Sequence, residues 1–175
     1  MNKLLGAFLM ATILSTSLSA KTIVCYFSAT GTTKALAEKT AKAIGADLHE
    51  IQSAQTYSSD DLNWHNSKSR SSIESNDPKS RPAIANKVDL TSYDAVILAY
   101  PIWWGLAPKI LYTFVEQNNL NGKKVVALVT SGGSELGRSG TDLCKYAKGS
   151  IYKGGKDFTS GSAEEIKKFV EKLLK

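Results

Sequence analysis

Four hydroxyl residues surround one glycine in the stretch Phe27–Thr33, FSATGTT, and no charged side chain interrupts it. Ser28, Thr30, Thr32 and Thr33 offer hydroxyl donors, with Ala29 between the first two, and Gly31 lets the backbone approach a ligand closely. The stretch follows an apolar run, TIVCYF, and precedes a helix-like segment, KALAEKTAKAIG. A turn from strand into helix carries the unpaired N–H groups and positive dipole end of the helix, which together attract a phosphate. Lysine is not needed where that phosphate ends the ligand and is not transferred. The chain contains neither GxxxxGK[ST] nor GxGxxG, which excludes a nucleotide-hydrolysing P-loop and a dinucleotide fingerprint. Taken alone, the loop also fits the hydroxyl-rich cap of an ordinary helix.

Two further loops narrow the chemistry. AYPIWWGLAP (99–108) brings Pro101, Ile102, Trp103, Trp104 and Gly105 to the end of another strand. Indoles on such a loop are costly unless they cover something flat and apolar; the other readings are core packing and an aromatic anchor at a protein interface. SGGSELGRSG (131–140) follows the next strand, and Ser131, Gly132 and Gly133 open a glycine-rich loop whose backbone can pass close to a ring edge. Ligands of parallel α/β sheets bind outside the carboxyl ends of the strands, where all three loops lie. A terminal phosphate site beside an aromatic platform describes a mononucleotide with a large planar ring system.

The elements that must position these loops are legible as periodicity. TIVCYF (22–27), DLHEIQ (47–52), DAVILAYPI (94–102), KKVVALVTS (123–131) and the weaker SIYKGG (150–155) read as strands, the first a continuous apolar run of the kind buried on both faces. Between them, residues 32–45 place Leu36, Ala37, Ala41 and Ile44 on one helical stripe that ends at Gly45. KILYTFVEQN follows Pro108 as a helix and TDLCKYAK reads as another; SAEEIKKFVEKLLK closes the chain, with Ser162 and Glu165 spaced as a capping box. Five strands alternating with helices predict a parallel α/β sandwich. From Gln52 to Tyr93 the pattern fails, and this polar connection is expected to carry a short helix and wrap an edge of the sheet.

With 42% hydrophobic and 22% charged residues, the 175-residue chain suits one domain. The first twenty residues stand apart: Lys3, an apolar run from Leu4 to Leu14, then small residues. That layout predicts a secretory signal peptide over 1–20, cut after Ala20 or Ser19, with a mature domain over 21–175 in the periplasm or outside the cell. The other reading is an unusually apolar N-terminal strand. The run is too short for a transmembrane anchor and no cysteine follows the cut, so no stable membrane anchor is expected, and no nucleic-acid partner. Loss of Lys3 takes the net charge from +6 to +5. Cys25, mid-strand, and Cys144, in a helix, have no CxxC or metal spacing, and are expected to remain two separate thiols with Cys25 in the core.

SATGTT matches the [ST]-x-T-G-x-T phosphate loop of the flavodoxins position by position, and YPIWWG…AP with RPAI upstream resembles the bacterial flavodoxin-like branch. The resemblance runs from Thr22 to Lys175. It implies a short-chain, three-layer sandwich with strand order 2-1-3-4-5 and non-covalent FMN. By the same resemblance Ser28, Thr30, Thr32 and Thr33, with the loop amides, hold the phosphate, and Trp104 lies against the isoalloxazine with Trp103 as second partner. The Gly105 peptide turns toward flavin N5 on one-electron reduction, and Ser131, Gly132 and Gly133 line the pyrimidine edge. The implied function is electron transfer, with a redox partner protein docking over the exposed ring edge. A basic chain, where the family is typically acidic, points to an anionic partner. The alternative is an NAD(P)H-dependent reductase of quinones, azo compounds or free flavin, its substrate covered by the 52–93 connection and His65, Arg70 and Arg81 on the nicotinamide nucleotide's phosphates. Those three residues read equally as solvated surface. No Cys, His or acid is placed at the flavin loops as an obvious proton donor, which favours the carrier.

Overall fold

The computed structural model describes residues 21–175, so the expected leader lies outside the described residues. The elements are β1 (Thr22–Tyr26), α1 (Thr32–Ile44), β2 (Asp47–Glu50), α2 (Arg70–Asn76), β3 (Ala95–Pro101), α3 (Lys109–Gln117), β4 (Lys124–Thr130), α4 (Ser139–Cys144), β5 (Ile151–Asp157) and α5 (Ala163–Leu174). The five strands form one parallel sheet in the order β2-β1-β3-β4-β5.

Alternation along the central strands divides the interior into two cores. Ile23, Cys25, Val96, Leu98, Val125 and Ala127 face one side, where Ile110 and Phe114 of α3, Leu143 of α4, and Tyr57 and Leu90 of the long connection cover them. Val24, Tyr26, Ile97, Ala99, Val126 and Leu128 face the other, against Leu36 and Ala37 of α1 and Ile166 and Val170 of α5. Burying each large apolar side chain contributes about 1.5–3 kcal/mol, which is why strands buried on both faces read as unbroken apolar runs. Cys25 is fully buried and Cys144 half-buried, and both are free thiols. Burial alone pushes both thiols up, Cys144 to about 12, so neither is a ready nucleophile.

The sequence pattern differs from the structure in four places. α4 begins two residues before TDLCKYAK because Ser139 and Gly140 are buried. It also ends early: Tyr146 and Ala147 bond three residues back, to Leu143 and Cys144, which tightens the helix into turns. β5 runs on to Asp157, two residues past its expected end, because its glycines fit rather than break it. A Cβ on Gly155 would lie 2.4 Å from the Ala127 carbonyl oxygen, and Gly154 takes φ +119 beside an irregularity in pairing with β4. β2 stops at Glu50, where Gln52 N–H turns to Asn86 Oδ1. The 52–93 connection does carry a short helix, α2, but it packs onto one face of the sheet through Tyr57 and Leu90 rather than simply wrapping an edge. At the far end of the chain the capping box forms as read: Ser162 Oγ accepts from Glu165 N, and Glu165 Oε2 accepts from Ser162 N.

Candidate functional site

The FSATGTT turn opens directly off β1, and no side chain caps the helix it enters. Gly31 occupies the cap position at φ +92, and the first turn of α1 contains no acidic residue. Gly31 O accepts the first helical bond, from Ala35 N, so the amides of Thr32, Thr33 and Lys34 precede the ladder at the positive end of the helix. The four hydroxyls are not equivalent. Thr30 and Thr32 are exposed. Ser28 Oγ accepts from Gly31 N at 3.1 Å and keeps its proton to donate. Thr33 is buried, and its hydroxyl shares a 2.7 Å bond with Thr130; whichever donates, the other proton is left over.

The adjacent tryptophans take opposite roles. Trp103 and Leu106 exchange backbone hydrogen bonds, which makes Trp104 and Gly105 the two central residues of a hairpin turn with φ +48 and +74. Positive φ at both positions is the type I′ pattern, natural for glycine and strained for tryptophan by about 1–2 kcal/mol. Trp103 is half-buried, edge-on to Phe27 and Tyr57 at 5.7 and 5.4 Å between ring centroids. Trp104 is 44% exposed. The positive φ thus turns the Trp104 indole toward solvent while that of Trp103 packs inward.

In the third loop the side chain of Ser131 is committed to the fold. Its hydroxyl donates to Asp157 Oδ2 at 2.5 Å and accepts from Gly133 N and Glu135 N, while Ser131 N donates to Thr159 Oγ1. The Ser131 side chain therefore shapes the loop, while the residue still lines the cavity. Burial pushes the Asp157 carboxyl up, but hydrogen bonds from Ser131 and Thr159 outweigh it and hold the group below the ordinary carboxylate range.

The three loops enclose a cavity of about 740 Å³, within the range of small-molecule sites. Ala29, Thr30, Thr32, Thr33, Pro101, Ile102, Trp103, Trp104, Gly105, Ser131 and Gly132 line it; Ser28, Gly31 and Gly133 belong to the same loops but are not in the lining. Every side chain that lines it is neutral. The flavodoxin family profile matches residues 21–173. The chain belongs to the flavodoxin family. It is similar to a candidate flavoprotein from Bacteroides eggerthii DSM 20697, at 46% identity over 89% of this chain and 99% of that one, with a TM-score of 0.85. A second, from Bacteroides uniformis ATCC 8492, is 40% identical over 87% and 99%, with a TM-score of 0.82. A flavoprotein from Lactobacillus acidophilus NCFM, solved in complex with FMN, shares 23% identity over 89% and 99% at a TM-score of 0.68, and there the likeness is one of fold. No curated protein matches the chain.

This flavodoxin also builds its cavity from residues beyond those singled out in the sequence. Leu62, Trp64 and Ser71 come from the long connection, Thr130 from the end of β4, Ser134 from the third loop and Thr159 from the turn after β5. For the residues of the connection, a lone tryptophan in an otherwise polar stretch was the only sequence signal. The arginines of the connection form ion pairs within the protein and do not line the cavity. Arg70 pairs with Glu74 at 2.6 Å and sits 4.0 Å over the Tyr57 ring; Arg81 pairs with Glu116 at 2.8 Å, against Tyr112 and Tyr146. His65 is exposed and stacks on Trp64. Among the described residues no cluster could hold a metal ion, and no helix is long and apolar enough to cross a membrane.

Proposed function

We propose that this flavodoxin holds FMN non-covalently and works outside the cytoplasm as an electron carrier, passing electrons to a protein partner with an anionic surface. FMN, when bound, supplies the reversible redox chemistry; the chain binds it, orients it and limits its contact with water. The phosphate fits the uncapped start of α1, with the amides after Gly31 and the Thr30 and Thr32 hydroxyls as donors. The ring fits beside Trp104 and the backbone of Gly132.

The observation that carries the carrier reading is the neutral lining of the cavity. No acid, base or nucleophile stands ready to act on a second substrate, so the site is suited to holding a cofactor whose electrons leave through its exposed edge. A leader over residues 1–20 supports a place beyond the membrane, and a net charge of +5 without Lys3 supports an anionic partner.

The cofactor is tested by titrating apoprotein with FMN, riboflavin and FAD and following flavin fluorescence. FMN is expected to bind at least about a hundredfold more tightly than riboflavin, because a charge-assisted phosphate site contributes several hydrogen bonds of about 1.5–3 kcal/mol each. Equal affinity would sink the phosphate site. NADH and NADPH oxidation with quinone acceptors tests the carrier role. Negligible turnover is expected, and rapid saturable turnover would make the protein a reductase.

A further inference from the structure

One hydroxyl in the wall of the cavity is buried without a partner. Ser71 is 1% exposed, lines the cavity, and its Oγ makes no hydrogen bond. The neighbouring serines of the same short helix are satisfied: Ser69 Oγ donates to Ser72 Oγ at 2.8 Å, and Ser72 Oγ donates to the Asn66 carbonyl at 2.8 Å. Leaving the Ser71 hydroxyl unpaired costs the fold its desolvation penalty, so an orphan on a residue that lines a cavity points to a polar atom of a ligand. The other such hydroxyl among the described residues, Ser150 Oγ, is not in the cavity lining.

Trp64 belongs to the same wall and, at 68%, is the most exposed large apolar side chain among the described residues. It is not on a loose loop. His65 N donates to Asn63 Oδ1, Lys68 N to Asn66 Oδ1, and Ser71 N to the Asp61 carbonyl, which fixes the turns on either side. His65 already backs the indole, with ring centroids 3.5 Å apart. The wall is also keyed to the flavin loop, because Arg70 rests on Tyr57 and Tyr57 packs edge-on to Trp103. A rigidly placed, solvent-facing indole beside an unpartnered hydroxyl is a preorganised surface for a planar heterocycle.

We propose that this wall forms the second side of the flavin site, with Trp64 packing on the ring system and Ser71 Oγ hydrogen-bonding a polar atom of that ring. The inference rests on the FMN reading above. It assigns the long β2–β3 connection a role in holding the cofactor rather than a second substrate.

The test uses the mature protein with Trp64→Ala, Trp64→Phe and Ser71→Ala, titrated with FMN and with riboflavin. Trp64→Ala is expected to raise the FMN dissociation constant roughly five- to a hundredfold, by analogy with base–aromatic stacking, and Trp64→Phe to recover part of the loss. Ser71→Ala is expected to cost about three- to tenfold in affinity while leaving the melting temperature of the apoprotein unchanged or raised, since it removes an unpaired group. Both losses should be as large for riboflavin as for FMN, because the contacts lie on the ring. Unchanged FMN affinity and visible spectrum in Trp64→Ala and Ser71→Ala would overturn the wall while leaving the FMN site intact. Losses confined to FMN, or a destabilised Ser71→Ala apoprotein, would overturn it as well. Absence of FMN binding by the unmodified protein would overturn both readings.

Discussion

Trp103 and Leu106 exchange both of their backbone hydrogen bonds, at 2.9 and 3.0 Å, leaving Trp104 and Gly105 to turn the chain at positive φ. This pairing separates two neighbouring indoles into one that packs on Phe27 and Tyr57 and one that faces solvent at the cavity.

Replacing Trp104 with glycine removes the strained positive φ together with the indole. The apoprotein is expected to gain about 1 kcal/mol of stability in urea unfolding, while FMN binding weakens by about 1–3 kcal/mol. Trp103→Ala is expected to do the reverse, costing about 3 kcal/mol of stability through its contacts with Phe27 and Tyr57, with a smaller effect on affinity. A reversed ranking in the flavin titration would make Trp103 the platform.

The carboxylate of Asp157 ties the third loop to the end of β5, and its folded pKa is depressed. A depressed pKa contributes stability that is fully present above the ordinary value of 3.8 and is lost as pH falls through the lower folded value. Wild-type protein is therefore expected to lose stability more steeply below about pH 4 than Asp157→Asn, which is already weakened at neutral pH. Urea midpoints measured for both proteins from pH 6 to pH 3 provide the comparison. Parallel curves would remove Asp157 from the account of the loop.

Gly155 lies against β4 so closely that any side chain meets backbone, with Ala127 O at 2.4 Å and Ala127 Cβ at 2.8 Å from a built Cβ. Gly155→Ala is expected to destabilise the protein by about 1–3 kcal/mol, as overpacking in a sheet does. Since β5 leads into Thr159 at the cavity, flavin affinity should fall with it. A thermal midpoint equal to wild type would show that β5 shifts freely.

Association with an anionic partner is expected to slow by roughly tenfold or more as salt rises from low to physiological strength, because the charges involved are exposed and screened over about 8–10 Å. Stopped-flow electron transfer to an acidic acceptor protein at several salt concentrations measures this. A rate indifferent to salt would place the docking energy in apolar contacts.

By itself the sequence determined the order of elements, the two-sided core and the three loops at one end of the sheet. It did so because these are local properties: apolar runs fix buried strands, a stripe fixes α1, and Ser162 with Glu165 fixes the start of α5. It also made β5 look weak, because the close approach that needs Gly155 belongs to a strand elsewhere in the chain. What each functional group does was left to the tertiary structure. Thr33 meets Thr130 across 97 residues, Ser131 meets Asp157 across 26, and Arg81 meets Glu116 across 35. Those encounters decided which hydroxyls remain free, which arginines are spent on ion pairs, and that Trp64 and Ser71 stand in the wall of the cavity. Spacing in a sequence carries turn and helix geometry; it carries nothing about partners that only a closed sheet brings together.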